Sequence, residues 1–277
     1  MAKLMSSERE FEMRQMLSEL REMFPYTESG FLDMANYVVN KLIRGNPDLT
    51  RVQLDICRYL FNNGTTTSVV MKKVKPKIKK KHKGTKKAKK IQKAYKNKRE
   101  PVTIYHTTKV GKRLRMIQAA RGVGKTTLAA IYAVFRIIHD PKTRVLIFSA
   151  GGGLASEISN WIIQIIEGIA LFSFLAPDEQ NGDRSSVKSY DVHWLFRGSE
   201  KSPSIKCLGV NSNAAGSRAD LVLADDVESL KNSRTVPMRE LLVEQTKEFE
   251  SICSTGDIVY LGTCLLYTSD AADDGES

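Results

Sequence analysis

Apolar positions recur at helical spacing three times in the first quarter of the chain. Residues 8–23 (EREFEMRQMLSELREM) carry Phe11, Met13, Met16, Leu17, Leu20 and Met23 along one side, and this period predicts an amphipathic helix. Residues 29–43 (SGFLDMANYVVNKLI) predict a second, broken by Asn46-Pro47. A third starts after Thr50, a hydroxyl suited to an N-cap, and runs through RVQLDICRYLF to Asn62-Asn63-Gly64.

From Arg113 the pattern changes to short apolar runs alternating with helical ones. RLRMIQA (113–119) reads as a strand, TTLAAIYAVFRII (126–138) as a helix, TRVLIFSA (143–150) as a strand and LASEISNWIIQIIEG (154–168) as a helix. SVKSYDVHWLFRG (186–198) alternates like a hairpin. SIKCLGV (204–210) and ADLVLADD (219–226) read as strands, VPMRELLVEQTKEFESI (236–252) as a helix and DIVYLGT (257–263) as a last strand. Strands alternating with helices of this length predict an α/β fold with a mostly parallel sheet covered by helices. The expected organisation is a helical segment at 1–63, a low-complexity insertion at 64–112, an α/β core at 113–263 and a tail at 264–277.

Charge sharpens this division. The chain of 277 residues has a formal net charge of +12, yet residues 72–99 alone hold fifteen lysines and one arginine with no acid. The remainder is therefore slightly acidic, and the basic character describes one segment. So many like charges with so few apolar residues cannot bury a core, and the segment is expected to be disordered on its own. It would attract any polyanion through counterion release. Apart from Tyr95 it lacks the interleaved aromatics of a single-strand stacking platform.

The other compositional signals mainly exclude. No run approaches the ~20 apolar residues of a membrane span, and the N-terminus carries charges where a signal peptide has its apolar core. A cytosolic protein with no membrane partner is expected. Cys57, Cys207, Cys253 and Cys264 are scattered, as are His82, His106, His139 and His193, so neither disulfide staples nor a zinc site is suggested.

AARGVGKTT (119–127) fits GxxxxGK[ST] except that Ala119 stands at the first glycine, and it lies between a predicted strand and a predicted helix. In such a phosphate loop Gly122 and Gly124 let the backbone around Val123 turn its N–H groups onto a phosphate. The following helix adds the positive end of its dipole. Lys125 would reach the β- and γ-phosphates of ATP, and the Thr126 hydroxyl would complete a Mg²⁺ shell, with Thr127 available to support the loop. Arg121 adds a cation able to contact the γ-phosphate.

LVLADDVE (221–228) is a second candidate, an apolar strand delivering Asp225, Asp226 and then Glu228. A phosphate-loop enzyme needs one carboxylate for Mg²⁺ and one acceptor to orient the attacking water. Asp225 is assigned to the metal; for the water Asp226 is the first candidate, with Glu228 close behind. Arg218 is a further cation suited to phosphate or DNA. Gln53 carries an amide whose two ends could pair with adenine, though a lone glutamine on an amphipathic helix is more often a surface residue, and Thr263 ends the last strand with a hydroxyl.

Taken in order, LTRVQLDICRYL, RMIQAARGVGKTT, VLIFSAGGGLASEISNWI, NAAGSRADLVLADDVES and DIVYLGT resemble the terminase large subunit of tailed phages, over about residues 45–62 and 113–263. The resemblance implies an additional-strand P-loop ATPase. It implies a homo-oligomeric ring at a capsid portal, working with a small terminase subunit and driving double-stranded DNA inward in the host cytoplasm. By the same resemblance Gln53 reads adenine, Arg121 is the P-loop arginine, Asp225 and Asp226 are the Walker B acids, and Thr263 is the coupling residue.

Two features depart from that family. About fifty residues, including the lysine run, separate the glutamine helix from the phosphate loop. The family's nuclease domain has no room here, and CLLYTSDAAD resembles a translated transposase adapter. Native sequence is therefore expected to stop near Thr263, and Asp270, Asp273, Asp274 and Glu276 are not read as a metal site. Two other readings remain at this point: a helicase-like or recombination ATPase, and a nonspecific DNA-binding protein acting through its lysines.

Overall fold

A computed structural model describes residues 6–43, 45, 47–61, 66–73, 99–106, 114–197, 202–210, 212, 214, 216–229 and 232–263. The lysine run from 74 to 98 and the tail from 264 to 277 lie outside these residues, and with them His82 and Cys264. The chain divides into two compact units, one formed by residues 1–63 with 112–277 and the other by 64–111.

The larger unit opens with α1 (Ser7–Met23), α2 (Glu28–Leu42) and α3 (Arg51–Phe61). Side chains start the first two: the Ser6 Oγ accepts from the Arg9 N–H and the Thr27 Oγ1 from the Gly30 N–H, each satisfying a donor with no partner inside the helix. α3 starts with a reciprocal pair. The Gln53 N–H donates to Thr50 Oγ1, while the Thr50 N–H donates back to Gln53 Oε1 at 2.9 Å, which is a capping box.

The smaller unit adds two strands that the sequence did not mark. The disorder expected of the lysine run at 72–99 falls almost wholly outside the described residues, but at its two ends β1 (Thr66–Lys73) and β2 (Arg99–His106) pair antiparallel, from Thr66 opposite His106 to Lys73 opposite Arg99. TTSVV and VTIY are dense in β-branched residues, which suit a pleated strand. The lysine composition of the whole segment concealed these ends.

The core then runs β3 (Leu114–Ala119), α4 (Lys125–His139), β4 (Val145–Ser149), α5 (Gly152–Gly168), the two-residue strands β5 (Ser185–Ser186) and β6 (Ser189–Tyr190), α6 (Trp194–Arg197), β7 (Ile205–Gly209), β8 (Leu221–Asp225), α7 (Val236–Ile252) and β9 (Asp257–Thr263). The sheet has seven strands in the order β3-β9-β8-β4-β7-β6-β5. The first five are parallel and the last two pairings antiparallel. The hairpin expected over 186–198 is thus confined to four residues, and Trp194–Arg197 form a helical turn instead. The cause is Asp183, whose buried carboxylate accepts from the Trp194 N–H and from Arg197 Nε, an anion at a helix start.

Alternate strand residues feed two separate cores. Val145, Ile147, Leu221, Leu223, Val259 and Leu261 face α4 and α5, with α1–α3 packed behind them. Leu146, Phe148, Val222, Ala224 and Ile258 face Phe249 and Ile252 of α7. With both faces covered, the central strands read as continuous apolar runs, as parallel strands do. α4 is buried nearly all round, with Ala129, Ala130, Ile131, Ala133, Val134, Phe135, Ile137 and Ile138 all fully buried. Among the described residues no single helix is long and apolar enough to cross a membrane.

Candidate functional site

The carboxyl ends of β3, β9, β8 and β4 meet at one edge of the sheet, and β3 and β4 send their following helices from strands separated by two others. Crevices of open α/β sheets form at such points. Here the backbone from Ala120 turns into α4 through Gly122 (φ 85°) and Gly124 (φ 88°), both left-handed. Glycine reaches this region without the clash a Cβ would cause. A cavity of about 320 Å³ lies here, lined by Arg121, Gly122, Gly124, Lys125, Thr126, Glu157, Asp225, Asp226 and Thr263.

Lys125 is 7% exposed and donates from Nζ to the carbonyls of Ala119 at 2.9 Å and Ala120 at 3.3 Å. Its ammonium is thereby curled under the loop it follows. One residue on, Thr126 Oγ1 donates to Asp225 Oδ2 at 3.0 Å, joining the start of α4 to the end of β8 across 99 positions of sequence. Burial pushes the Asp225 carboxyl above its ordinary value. The Thr126 hydrogen bond and Lys125 oppose this, while the nearby charges of Asp226 and Glu157 reinforce it.

Asp226 is the sole non-glycine with positive φ among the described residues, at 41°. Its backbone N–H donates to Leu261 O at 2.9 Å, and its carboxylate accepts from Thr263 twice over. Oδ1 receives the Thr263 N–H at 3.0 Å, and Oδ2 receives the hydroxyl at 3.0 Å. The left-handed turn is what swings the side chain back onto β9, and Asp is one of the few residues that tolerates it.

The residues singled out in the sequence divide clearly. Arg121, Gly122, Gly124, Lys125, Thr126, Asp225, Asp226 and Thr263 share the cavity. Val123 is half-buried against the core, and its carbonyl accepts from Gln53 Nε2 at 3.0 Å, so the α3 glutamine does reach this loop. Both ends of its amide are engaged, the oxygen in the capping box with Thr50 and the nitrogen on Val123. Thr127 is half-buried and Glu228 exposed, and neither lines the cavity. Glu157 does line it and was not singled out, because one glutamate on an amphipathic helix carries no signal of its own. Arg115, buried within β3 and paired with Asp257 at 3.2 Å, was likewise unmarked by any motif.

No protein-family model matches the chain. The terminase large subunit of Enterobacteria phage T3 is 37% identical to it over 151 residues, which make up 53% of this chain. The chain spans about a quarter of the length of that relative, the matched part being 25% of it. Over half of its length this chain is therefore similar to a terminase large subunit, and the resemblance read from its motifs is borne out.

Proposed function

We propose that the chain is the ATP-hydrolysing part of a phage DNA-packaging motor, binding Mg²⁺-ATP on a P-loop at residues 119–127 and using its turnover to move double-stranded DNA into a procapsid. The observation that carries this is the 3.0 Å contact between Thr126 Oγ1 and Asp225 Oδ2. A hydroxyl at the start of a helix and a carboxylate at the end of a neighbouring strand are hard oxygen donors. They fit Mg²⁺, which binds through a few protein oxygens and keeps the rest of its shell for phosphate and water. Bound there, Mg²⁺ would neutralise charge on the β- and γ-phosphates.

The protein's own groups supply the rest. The N–H groups of the Gly122–Lys125 turn and the N-terminal dipole of α4 suit a phosphate. Lys125 gives up two neutral carbonyls for anionic oxygens, a stronger charge-assisted bond. Arg121, lining the same cavity, adds a second cation for the γ-phosphate. Gln53 ties the adenine side of the site to the loop through Val123. Thr263, bonded to Asp226, is the coupling residue: a change at the γ-phosphate felt by Asp226 is passed directly to β9. A homo-oligomeric ring on a portal, assisted by a small terminase subunit in the host cytoplasm, is the setting that the terminase resemblance supports.

Lys125→Ala tests the reading. The parent is expected to bind ATP in the presence of Mg²⁺ and to release phosphate faster with duplex DNA than without. Losing one charge-assisted contact worth about 1.5–3 kcal/mol weakens nucleotide affinity roughly ten- to hundredfold. Equal affinity and turnover in parent and K125A would refute the P-loop assignment. Stimulation by single strands alone would favour a helicase-like enzyme.

A further inference from the structure

The cavity around Lys125 lies at the carboxyl ends of the parallel strands. At the opposite edge, where β4, β7 and β8 begin, a second cavity of about 330 Å³ gathers four cations: Arg144, Arg184, Lys206 and Arg218. Each arrives on a different segment of chain. Arg144 immediately precedes β4, Arg184 immediately precedes β5, Lys206 is the second residue of β7, and Arg218 lies three residues before β8. Among the described residues that line this cavity there is no acid and no aromatic ring.

Two of the four cations are already neutralised. Arg144 forms a two-bond pair with Asp220, from Nε at 2.9 Å and from Nη2 at 3.0 Å, and Arg184 Nε stands 3.1 Å from Asp191 Oδ2. The other two have no carboxylate partner among the described residues. Lys206 Nζ donates to the neutral Ser217 Oγ at 3.0 Å. Arg218 is exposed and makes no ion pair, although Glu248 lines a neighbouring cavity that Arg218 also borders. Lys206 stands opposite Leu146 of β4 and Ser189 of β6, on the face where Leu146 packs toward α7. A lysine can lay its stem on such an apolar surface and hold its charge at the rim. A surplus of two cations, with the hydroxyls of Ser189 and Ser202 beside them and nothing to stack a base, suits a phosphate group.

We propose that this cavity is a second phosphate site, separate from the P-loop, and that it holds a backbone phosphate of double-stranded DNA. This rests on the DNA-packaging reading above. Lys206 would exchange the Ser217 hydroxyl for a phosphate oxygen, and Arg218 would supply a second charge-assisted contact. Contacts to the backbone position a duplex without reading its sequence. β8 leads from this cluster to Asp225, so one strand of five residues, about 16 Å long, joins the DNA contact to the metal side of the ATP site.

The salt dependence of duplex binding tests it in five chains: parent, R218Q, K206M, the double variant, and R14Q as a control that removes an exposed charge from α1. Affinity for a fluorescent duplex of mixed sequence is read by anisotropy between about 50 and 200 mM salt, and ATP affinity is measured alongside. Each lost phosphate contact lowers the slope of log affinity against log salt by about 0.9, so the advantage of the parent over R218Q or K206M should shrink roughly 3.5-fold across that range. The lysine run is common to every chain and drops out of the comparison. R14Q should keep the parental slope, and all five chains should bind ATP alike, because none of the altered residues lines the P-loop cavity. Arg218 is exposed and methionine keeps the stem of Lys206, so the variants should melt with the parent; if K206M unfolds, R218Q alone decides. Parental slopes in R218Q and the double variant overturn the proposal, and so does an equal change in R14Q. Parental slopes with a calorimetric loss of inorganic phosphate binding overturn it too, making the cavity a site for the free ion. A parent that binds no ATP brings down the underlying reading instead.

Discussion

At Gly124 backbone conformation and side-chain position meet in one atom. Its φ of 88° belongs to the left-handed region, and a Cβ built there would stand 3.3 Å from Gln53 Nε2. Gly122 has nearly the same φ, 85°, but a Cβ there meets nothing within 4 Å. Alanine at Gly122 should therefore cost only the left-handed strain, about 1–2 kcal/mol. Alanine at Gly124 should cost that and also push the Gln53 amide off the Val123 carbonyl, so its loss should be the larger. Chemical denaturation of G122A and G124A checks this, and equal losses would mean that Gln53 adds nothing at the loop. The glycines were legible in the sequence because few other residues take a left-handed backbone, and Lys125 because it follows them at the spacing of a phosphate loop. Gln53 was legible only in part. The sequence TRVQ is itself a capping-box pattern, and the structure gives the glutamine that role as well as its place on the loop. Glu157 was not legible, since its position depends on which face of α5 the core leaves open.

Among the elements, α4 carries the most. Its first residues hold the candidate site, its middle fills the main core, and its end is fastened to the N-terminal helices. Arg115 of β3 donates to Leu60 O of α3 and to Tyr132 of α4 and pairs with Asp257 of β9, so four elements converge on one buried guanidinium. At the far end His139 Nε2 bonds the Phe24 carbonyl at 2.9 Å and packs edge-on against Phe135. Burial pushes the His139 imidazole below its ordinary value; the Phe24 bond pulls it up, and Arg21 adds to the lowering. The folded chain then takes up this proton less readily than the unfolded chain. The stabilisation is complete above the unfolded value near ~6.5 and is lost as pH falls through the lowered folded value. The melting temperature should thus drop between about pH 7.5 and 5.5, with a shallower drop in H139Q. His193, also lowered chiefly by burial, accounts for the part that persists. Identical slopes in parent and H139Q would show that His139 is not the group. The sequence revealed these helices and strands almost residue for residue, because period and caps are local. It failed where tertiary contacts decide, as at Trp194–Arg197, or where composition masks pattern, as in β1 and β2.

For the molecule as a whole, what sequence order could not reveal was which strands are neighbours. β9, the last described strand, inserts between β3 and β8, and among the described residues β3 ends the sheet with one partner. Its outward positions are apolar: Leu114 is 46% and Met116 61% exposed, beside the paired and buried Arg115 and Ile117. An open strand edge with apolar side chains is a template for pairing with another chain. A second exposed apolar surface lies on α7, where Val236, Leu241 and Val243 are each more than half exposed. Light scattering over a concentration series should therefore give a mass that rises above the monomer. A lysine at position 116 places a charge on the edge without touching the core, so M116K should hold the mass near the monomer at concentrations where the parent associates. L241E supplies the contrast. If L241E abolishes association and M116K does not, the surface on α7 is responsible and the β3 edge is inert. If both variants and the parent stay monomeric throughout, the unpaired edge is tolerated because six residues are too short to recruit a partner strand.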